Sequence, residues 1–279
     1  MLTSVRAGKT AKDVKTKKRG RAIVRGGEGI SGRVKASTSA MFSWAREAGL
    51  VDGNPVMGVK LPQRPKMERF LSTAETGKLL ETLSQLEDAS QLEKAHGDAI
   101  RLLLMTGARK GEIVGLKWEE IDWERQRLVL PPERTKAGGK TGDRIIFLPP
   151  SAVTILEAQS SKRSGHVFPA ARGEGATTSL QKSWALVRKT AALENVRLHD
   201  LRHTFASFAV ASGEALAIIG KALGHSSVRV TERYAHLSHN PVQALADRVG
   251  ALILKQPGEG DTAGANGSGS NVVQLPVGA

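Results

Sequence analysis

Four residues in the last third of the chain have types and spacing that suit chemistry on a phosphate ester. His199 and Arg202 are three residues apart, so in a helix they lie on one face. His225 follows a Leu-Gly pair, and Tyr234 stands nine residues later in the polar segment VTERYAH. Tyr234 is the only tyrosine in the 279-residue chain, and its polar setting predicts a side chain kept for chemistry and not for packing.

Phenol, imidazole and guanidinium groups together can attack a phosphodiester. A tyrosine oxygen can act as a covalent nucleophile, and the fork of an arginine matches two phosphate oxygens. Each group alone has a plainer explanation. A lone tyrosine near a helix end is usually a surface or half-buried residue, and His-x-x-Arg is a short motif. The ordered set is more specific than its parts.

A further arginine is predicted at the start of a short helix. The segment TGARKGEI follows an apolar helix through a glycine turn, which places Arg109 at the next helix start. Helix N-termini disfavour cations, so a bound anion would explain an arginine there. Glu112, three residues on, can hold Arg109 in place; an exposed ion pair is the alternative.

Two lysines lie in a basic loop between two short apolar runs. The runs at 127–131 and 144–149 predict a β-hairpin or the edge of a small sheet. Lys136 and Lys140 are in the connecting segment PERTKAGGKTGD. Loop lysines that contact solvent, or phosphate in general, are the alternative to a catalytic lysine here.

The ordered motifs resemble the tyrosine recombinases, the phage-integrase family. The resemblance covers His-x-x-Arg, Leu-Gly-His and the following tyrosine, and TGARKGEI is similar to the family's first arginine motif. Lys136 matches the family's hairpin lysine by its place, with Lys140 the alternative. The resemblance extends over about residues 68–240. It implies a mainly α fold with a small antiparallel β-sheet (α+β), with a catalytic domain like those of DNA breaking-rejoining enzymes.

The family likeness implies a site-specific DNA recombinase that works through a 3′-phosphotyrosyl intermediate. In that scheme Tyr234 attacks, Arg109 and Arg202 bind the non-bridging oxygens, and Lys136 protonates the departing 5′-oxygen. The intermediate retains the energy of the phosphodiester, so religation needs no ATP. The chain has no Gly-x-x-x-x-Gly-Lys-Ser/Thr loop, and we expect no cofactor.

The histidines complete the scheme. By the resemblance, His199 assists proton transfer and His225 hydrogen-bonds the phosphate. His199 and His203 also have metal-ligand spacing, but the residues between them lack the glutamate of the His-Glu-x-x-His motif. Arg202 would also repel a divalent cation, so we expect no metal.

The charge of the chain points to a polyanion. The formal net charge is +14, and the first 35 residues hold much of the excess. An idle basic tail is the alternative, and a membrane surface is disfavoured because the segment has no amphipathic apolar face. We expect DNA contacts from Lys140 and from a set of N-terminal basic residues: Lys9, Lys12, Lys15, Lys17, Lys18, Arg19, Arg21 and Arg25.

The composition excludes several other classes of protein. There is no cysteine, which excludes a disulfide framework and a thiolate metal site. No apolar run reaches the ~20 residues that span a bilayer, and the first residues lack the apolar segment of a signal peptide. We therefore expect a cytoplasmic protein, and the family resemblance implies a bacterial or phage origin.

The chain is predicted to contain two domains. The sequence predicts a basic loop or hairpin at 8–29 and a helix at 31–48, and the family resemblance implies that residues 1–60 form part of a helical core-binding domain. A linker follows at 61–69, a catalytic domain at 70–255 and a disordered glycine-rich tail at 256–279. A capping box formed by Ser72 and Glu75 opens the catalytic domain, and further helices are predicted at 151–161, 178–192 and 241–254.

The partner implied by the resemblance is double-stranded DNA with attachment-type sites. The same resemblance implies a homo-oligomer, a tetramer on paired sites, with accessory DNA-bending proteins. We expect the chain to begin partway through the core-binding domain, which leaves open a catalytically weak or inactive DNA-binding integrase remnant. DNA relaxation like that of type IB topoisomerases, which use the same tyrosine attack, is a further alternative.

Overall fold

The computed structural model describes most of the chain. The described residues are 1–17, 20–62, 69–134, 142–159, 164–170, 175–177, 180–225, 227–237 and 241–254. The chain divides into two compact units, Met1–Met67 and Glu68–Ala279. Most of the predicted linker at 61–69 and the whole predicted tail at 256–279 lie outside the described residues.

The described residues of the first unit form two helices and a two-stranded antiparallel ribbon between them. Its elements in order are α1 (Leu2–Arg6), β1 (Lys12–Lys17), β2 (Gly20–Val24) and α2 (Glu28–Glu47). The hairpin alternative for the basic segment is thus confirmed. The predicted helix at 31–48 begins three residues earlier, because Gly27 is its N-cap and Glu28 suits the positive end of a helix.

The turn after α2 is fastened to the helix by Asn54. Its amide nitrogen donates to the Ser39 carbonyl at 2.9 Å and to the Ser43 hydroxyl at 3.0 Å. Its side-chain oxygen accepts from the backbone N–H of Val56 at 3.0 Å. An asparagine that mimics a backbone turn explains why the chain reverses at the predicted Asn-Pro pair.

The second unit is mainly helical, and the predicted fold class is confirmed. Ser72 and Glu75 form the predicted capping box at its first helix, with Glu75 N–H donating to the Ser72 hydroxyl at 3.2 Å. The described helices of this unit are α3 (Thr73–Asp88), α4 (Lys94–Thr106), α5 (Lys110–Val114), α6 (Pro150–Glu157), α7 (Gln181–Thr190), α8 (Leu198–Ala211), α9 (Leu216–Leu223) and α10 (Pro241–Leu254).

The predicted hairpin is part of a three-stranded antiparallel sheet. The strands are β3 (Ile121–Asp122), β4 (Arg127–Leu130) and β5 (Arg144–Phe147), in that spatial order. Sequence reasoning missed β3, because two residues are too few to show an alternating pattern. In β5 the buried side chains are Arg144 and Ile146, whereas their neighbours face outward.

One large core joins the helices and the sheet of the second unit, and a smaller cluster lies beside it. The large core includes side chains of α3, α4, α6 and α7, and of β4 and β5. The smaller cluster contains Ala206, Val210, Ile219, Leu223 and Tyr234. Helix α8 connects the two, since it packs against α4 and against a 3₁₀ segment at Glu232–Leu237.

Two glycines end helices that lead towards the predicted site residues. Gly107 after α4 and Gly224 after α9 both adopt the left-handed conformation, with φ of 61° and 66°. Neither position has room for a side chain. A Cβ on Gly107 would lie 2.6 Å from the ring of Phe205, and one on Gly224 would lie 2.6 Å from Nε of Arg144.

Candidate active site

Helix α8 carries the predicted His-x-x-Arg motif. The helix begins after Arg197, whose backbone N–H donates to the Asp200 carboxylate at 2.7 Å. Arg202 is 4% exposed, whereas His199, one turn earlier, is exposed. The motif therefore supplies one buried cation and one imidazole at the surface.

Arg202 bridges two helix ends. Its Nη1 donates to the Gly107 carbonyl at 2.8 Å, and its Nη2 donates to the Leu223 carbonyl at 2.5 Å. Both acceptors belong to C-terminal turns, where carbonyls lack partners within the helix. The guanidinium is thus fixed in one orientation by the backbone, and it joins α4 to α9.

Arg109 occupies the predicted position at the start of α5. Glu112 accepts from its backbone N–H at 2.7 Å and from its Nη1 at 2.8 Å. Its Nη2 donates to the Gly224 carbonyl at 3.0 Å. Glu112 is 4% exposed, so the pair is not the exposed ion pair of the alternative interpretation. Glu112 holds the arginine in place.

Arg144 is a third arginine at the same helix end, and sequence reasoning missed it. Its Nη1 donates to the Lys221 carbonyl at 3.2 Å, and its Nη2 donates to the Ala222 carbonyl at 2.6 Å. A signal for it exists in the sequence: Arg144 shares the inward face of an alternating strand with Ile146. An arginine in a core register needs a polar partner there, and the end of α9 supplies it.

The last carbonyls of α9 are therefore held by three guanidinium groups. Arg144 takes Lys221 and Ala222, and Arg202 and Arg109 take the next two carbonyls. The negative end of the helix dipole favours such cations. The sequence Leu-Gly-His at the end of α9 is fixed by these three residues, here named the arginine cluster: Arg109, Arg144 and Arg202.

The arginine cluster carries more positive than negative charge. Glu112 is the carboxylate that acts on all three arginines. Desolvation, followed by repulsion from Arg109, lowers the pKa of Arg202 to about 10, and desolvation lowers that of Arg144. Guanidinium groups remain charged at neutral pH despite such shifts. An anion bound at this cluster would relieve the repulsion.

His225 directly follows Gly224, whose carbonyl accepts a hydrogen bond from Arg109 of the arginine cluster. Its backbone N–H donates to the Gly220 carbonyl at 2.9 Å, and its Nδ1 lies 2.9 Å from the Thr231 hydroxyl. Desolvation, followed by the charges of Arg202 and Arg109, lowers its pKa to about 4. The ring is therefore neutral at pH 7. When Thr231 donates to Nδ1, the ring carries its proton on Nε2 and can donate it to a phosphate oxygen.

Tyr234 is buried, which contradicts the prediction that it is not a packing residue. It is 5% exposed and packs in the smaller cluster with Ile219 and Leu223. Its segment is a 3₁₀ helix in which polar neighbours face solvent, so the local sequence conceals the burial of the ring. The hydroxyl lies 2.5 Å from Nδ1 of His203, a residue that sequence reasoning considered only as a metal ligand.

His199 lies close to both the arginine cluster and His203. Desolvation, then the charge of Arg202, lowers its pKa from the ordinary value, and Arg109 adds to this effect. Its ring meets the ring of His203 edge-on, with centroids 4.9 Å apart. Within the described part of the chain, no group of three or more His, Asp or Glu residues is arranged to hold a metal ion.

The remaining predicted residues divide into two groups. Lys136, Lys140, Lys18 and Arg19 lie outside the described residues, as does the side chain of Lys17. The other basic residues of the N-terminal set are exposed in the ribbon and beside it: Lys9, Lys12, Lys15, Arg21 and Arg25. No described helix is long and apolar enough to cross a membrane.

Comparison with known proteins identifies the family. The family model described as "Phage integrase family" matches residues 69–240. Similar curated proteins include the integrase of Salmonella phage P22, 25% identical over 220 residues, which cover 75% of this chain and 54% of that protein. The tyrosine recombinase XerD of Rickettsia conorii is 31% identical over 206 residues, which cover 67% of this chain and 66% of that protein. The chain spans about half the length of the P22 integrase.

Solved structures have the same fold. The Tn1549 transposon integrase in complex with a circular-intermediate DNA matches with a TM-score of 0.61 and 19% identity, covering 79% of each chain. The XerH site-specific recombinase bound to its difH substrate matches with a TM-score of 0.59 and 20% identity, covering 78% of this chain and 64% of that one.

The fold and the site together define a mainly helical protein with a largely buried arginine cluster and a buried tyrosine beside it. With the family model matching well over half of its residues, the chain belongs to the phage integrase family of tyrosine recombinases. The predicted family is thereby confirmed.

Proposed function

We propose that this protein is a site-specific DNA recombinase that cuts and rejoins strands through a 3′-phosphotyrosyl intermediate on Tyr234. One observation carries the proposal. Two consecutive residues of α8 lie beside the proposed phosphate site and beside the proposed nucleophile. Arg202 belongs to the arginine cluster, and His203 contacts the hydroxyl of Tyr234. A phosphate at the cluster is then close to the phenol.

The proposed reaction begins with a phosphodiester at the arginine cluster. Arg109 and Arg202 bind the non-bridging oxygens, and His225 donates a hydrogen bond to the phosphate. Because both guanidinium groups are already fixed by carbonyls and by Glu112, they stabilise the growing charge without reorganising. The oxygen of Tyr234 bonds to phosphorus, and the bond from phosphorus to the 5′-oxygen breaks.

The departing 5′-oxygen needs a proton, and the proposed donor is Lys136. A positioned acid typically contributes ~10²–10⁴-fold to the rate, so Lys136→Ala should slow cleavage by about that factor. Replacing the bridging 5′-oxygen with sulfur removes the need for an acid, because a thiolate leaves unaided. This substrate should restore the rate of Lys136→Ala and leave Arg109→Ala slow. Rescue of Lys140→Ala instead would assign the role to Lys140.

Double-stranded DNA with attachment-type sites is the proposed partner, on bacterial or phage DNA. The named relatives support this, since the XerH structure holds its difH substrate and the Tn1549 integrase holds transposon DNA. In the proposed layout, residues 1–60 form part of a core-binding domain that contacts the backbone through the ribbon, and residues 70–255 cleave. Assembly as a tetramer on paired sites, with accessory DNA-bending proteins, completes the proposal.

Covalent capture tests the proposal without knowledge of the target sequence. Nicked duplexes of random sequence are incubated with the protein, and adducts that survive detergent are sequenced. The expected result is an adduct with the parent protein and none with Tyr234→Phe, at nearly equal DNA affinity. An adduct that forms equally well with Tyr234→Phe, or no adduct with the parent, contradicts the proposal.

The captured sequences also separate recombination from relaxation. Two copies of a captured site on one supercoiled plasmid should give recombinant products, whereas a type IB topoisomerase would relax any supercoiled plasmid. Relaxation of a plasmid that lacks captured sites, without recombinants, would favour the topoisomerase alternative. Binding with neither activity would favour the non-catalytic remnant.

A further inference from the structure

His203 contacts the reactive oxygen of the proposed nucleophile. The distance from its Nδ1 to the Tyr234 hydroxyl is 2.5 Å, and the ring centroids are 5.8 Å apart with a 52° tilt. His203 is 6% exposed and Tyr234 is 5% exposed. A hydrogen bond between two side chains that are both excluded from water is stronger than one at the surface.

Several groups determine the charge state of His203. Desolvation, the largest influence, lowers its pKa to about 4. His199, Arg233 and Arg197 lower it further, whereas Asp200 on the same helix turn raises it. The imidazole is therefore neutral at pH 7. A neutral imidazole has one nitrogen with a free lone pair, and that nitrogen can accept a proton.

The chemistry of a phenol makes such an acceptor necessary. The phenol of tyrosine has a pKa near ~10, so at neutral pH it attacks slowly unless its proton is removed as the new bond forms. The ring of Tyr234 is buried among apolar side chains, where bulk water is not at hand to take the proton. Nδ1 of His203 is a titratable atom in direct contact with the hydroxyl.

We propose that His203 is the general base of the reaction: its Nδ1 accepts the proton of the Tyr234 hydroxyl as that oxygen bonds to phosphorus. The inference rests on the proposed recombinase function. The O–H bond of Tyr234 breaks, its electron pair forms the O–P bond, and the P–O bond to the 5′-oxygen breaks while that oxygen takes a proton from Lys136. In religation the same proton returns from His203 to the phenol.

The bound phosphate strengthens this base. Desolvation, and after it the charges of residues that include Arg233 and Arg197, keep the pKa of His203 low in the DNA-free protein. A phosphodiester monoanion at the neighbouring arginine cluster offsets part of that charge, because an anion nearby favours the imidazolium form. Proton transfer is therefore easier once DNA is in place. His199, which sequence reasoning gave the proton-transfer role, is exposed and contacts the ring of His203.

A pair of variants separates a base from a positioning residue. His203→Asn keeps a hydrogen-bonding group near Nδ1, but an amide oxygen cannot take the proton. Adduct formation in single turnover should slow by about 10²–10⁴-fold, with DNA affinity unchanged. The matched control is His96→Asn, because His96 is also partly buried and hydrogen-bonded, with its Nδ1 2.8 Å from the Ser183 hydroxyl and its Nε2 3.4 Å from the Thr177 hydroxyl, neither of which belongs to the site. It should retain the parent rate.

A more acidic nucleophile distinguishes a general base from a residue that only positions the ring. Tyr234 is the only tyrosine, so a fluorinated tyrosine can be placed there alone. Its phenol is more acidic and needs the base less, so His203→Asn should approach the rate of the fluorinated parent. Equal slowing with both nucleophiles would mean that His203 only positions the ring and would overturn the proposal. No slowing with ordinary tyrosine would overturn it as well.

A measurement on the unaltered protein guards against a variant that fails to fold. The ¹⁵N shifts of the imidazoles report the tautomer, and His203 is assigned by comparison with His203→Asn or by its shift in Tyr234→Phe. A proton on Nε2 with Nδ1 accepting is expected at pH 7. A proton on Nδ1 would make His203 a donor to the phenol and would contradict the inference. If the parent forms no adduct at all, the proposed function itself fails, whereas a parent adduct with an unaffected His203→Asn refutes only the role of His203.

Discussion

Two basic regions of this chain use the same side chains in opposite environments. In the ribbon of β1 and β2, Arg21 is exposed and pairs with Asp13, and this hydrogen bond raises its pKa. In the arginine cluster, Arg202 is buried, and its pKa is lowered by desolvation and by Arg109. The first arginine has an anion of its own, whereas the second shares one carboxylate with two other arginines.

The difference shows that burial and neighbouring groups determine what a charged side chain can do. Exposed lysines and arginines attract a DNA backbone from a distance, and salt weakens this attraction. An exposed ion pair contributes about 0–1 kcal/mol to stability. Hydrogen bonds from a buried guanidinium to carbonyls contribute about 1.5–3 kcal/mol each, and they fix its direction. We therefore expect the ribbon to determine affinity and the cluster to determine the rate of cleavage.

The sharpest test of this comparison replaces one arginine in each region by lysine. In Arg202→Lys the charge remains, but a single ammonium cannot bridge the carbonyls of Gly107 and Leu223 and also face a phosphate. Cleavage at saturating DNA should fall by about 10²–10³-fold. The matched Arg21→Lys should stay within about twofold of the parent rate. Similar losses in both variants would remove the distinction between the two regions.

A second prediction concerns the packing of Gly224 against Arg144. Gly224→Ala places a Cβ 2.6 Å from Nε of Arg144 at a positive φ, so either the end of α9 or the Arg144 side chain must shift. We expect a loss of stability of about 1–3 kcal/mol and a cleavage rate reduced by up to ~10²-fold. In the control Gly77→Ala, the new Cβ meets open space in α3, and stability should rise by about 0.5–1 kcal/mol.

The double variant Gly224→Ala with Arg144→Ala tests the same packing. Removing the guanidinium removes the clash, so the two destabilisations measured by thermal melts should not add. Strict additivity would show that the strain of Gly224→Ala comes from φ alone.

The smallest expected effect on rate belongs to the ribbon. Changing Lys9, Lys12, Lys15, Arg21 and Arg25 together to glutamine should weaken binding and flatten its salt dependence. The log-log slope should fall by about 0.9 for each DNA phosphate that the ribbon no longer neutralises. Cleavage at saturating DNA should be unchanged. An unaltered slope would mean that the ribbon contacts no DNA phosphate. A slower cleavage step would mean that the ribbon also contributes to the active site.

Local patterns predicted the parts of the fold that depend on neighbouring residues. The capping box of Ser72 and Glu75, the arginine at the start of α5 and the Leu-Gly-His turn each occupy a few consecutive positions, and each is found where predicted. The resemblance to the family also implied that Arg109, Arg202 and His225 act together, and all three are gathered around the end of α9.

Interactions between distant positions were beyond such patterns. Arg144 reaches carbonyls that lie more than 75 residues later in the chain, and His203 meets Tyr234 at a separation of 31 residues. Nothing in the segment VTERYAH shows that its aromatic ring turns inward, because the ring is buried by α8 and α9 and not by its own neighbours. The roles of Lys136 and of the ribbon residues stay predictions.

The most direct test of the central claim is the identity of the covalent bond. The adduct with DNA is digested with protease and nuclease, and the joined fragment is sequenced by mass spectrometry. We expect a nucleotide attached through its 3′-phosphate to Tyr234, with a free 5′-hydroxyl on the released strand. Attachment through a 5′-phosphate, or at any residue other than Tyr234, would contradict the account.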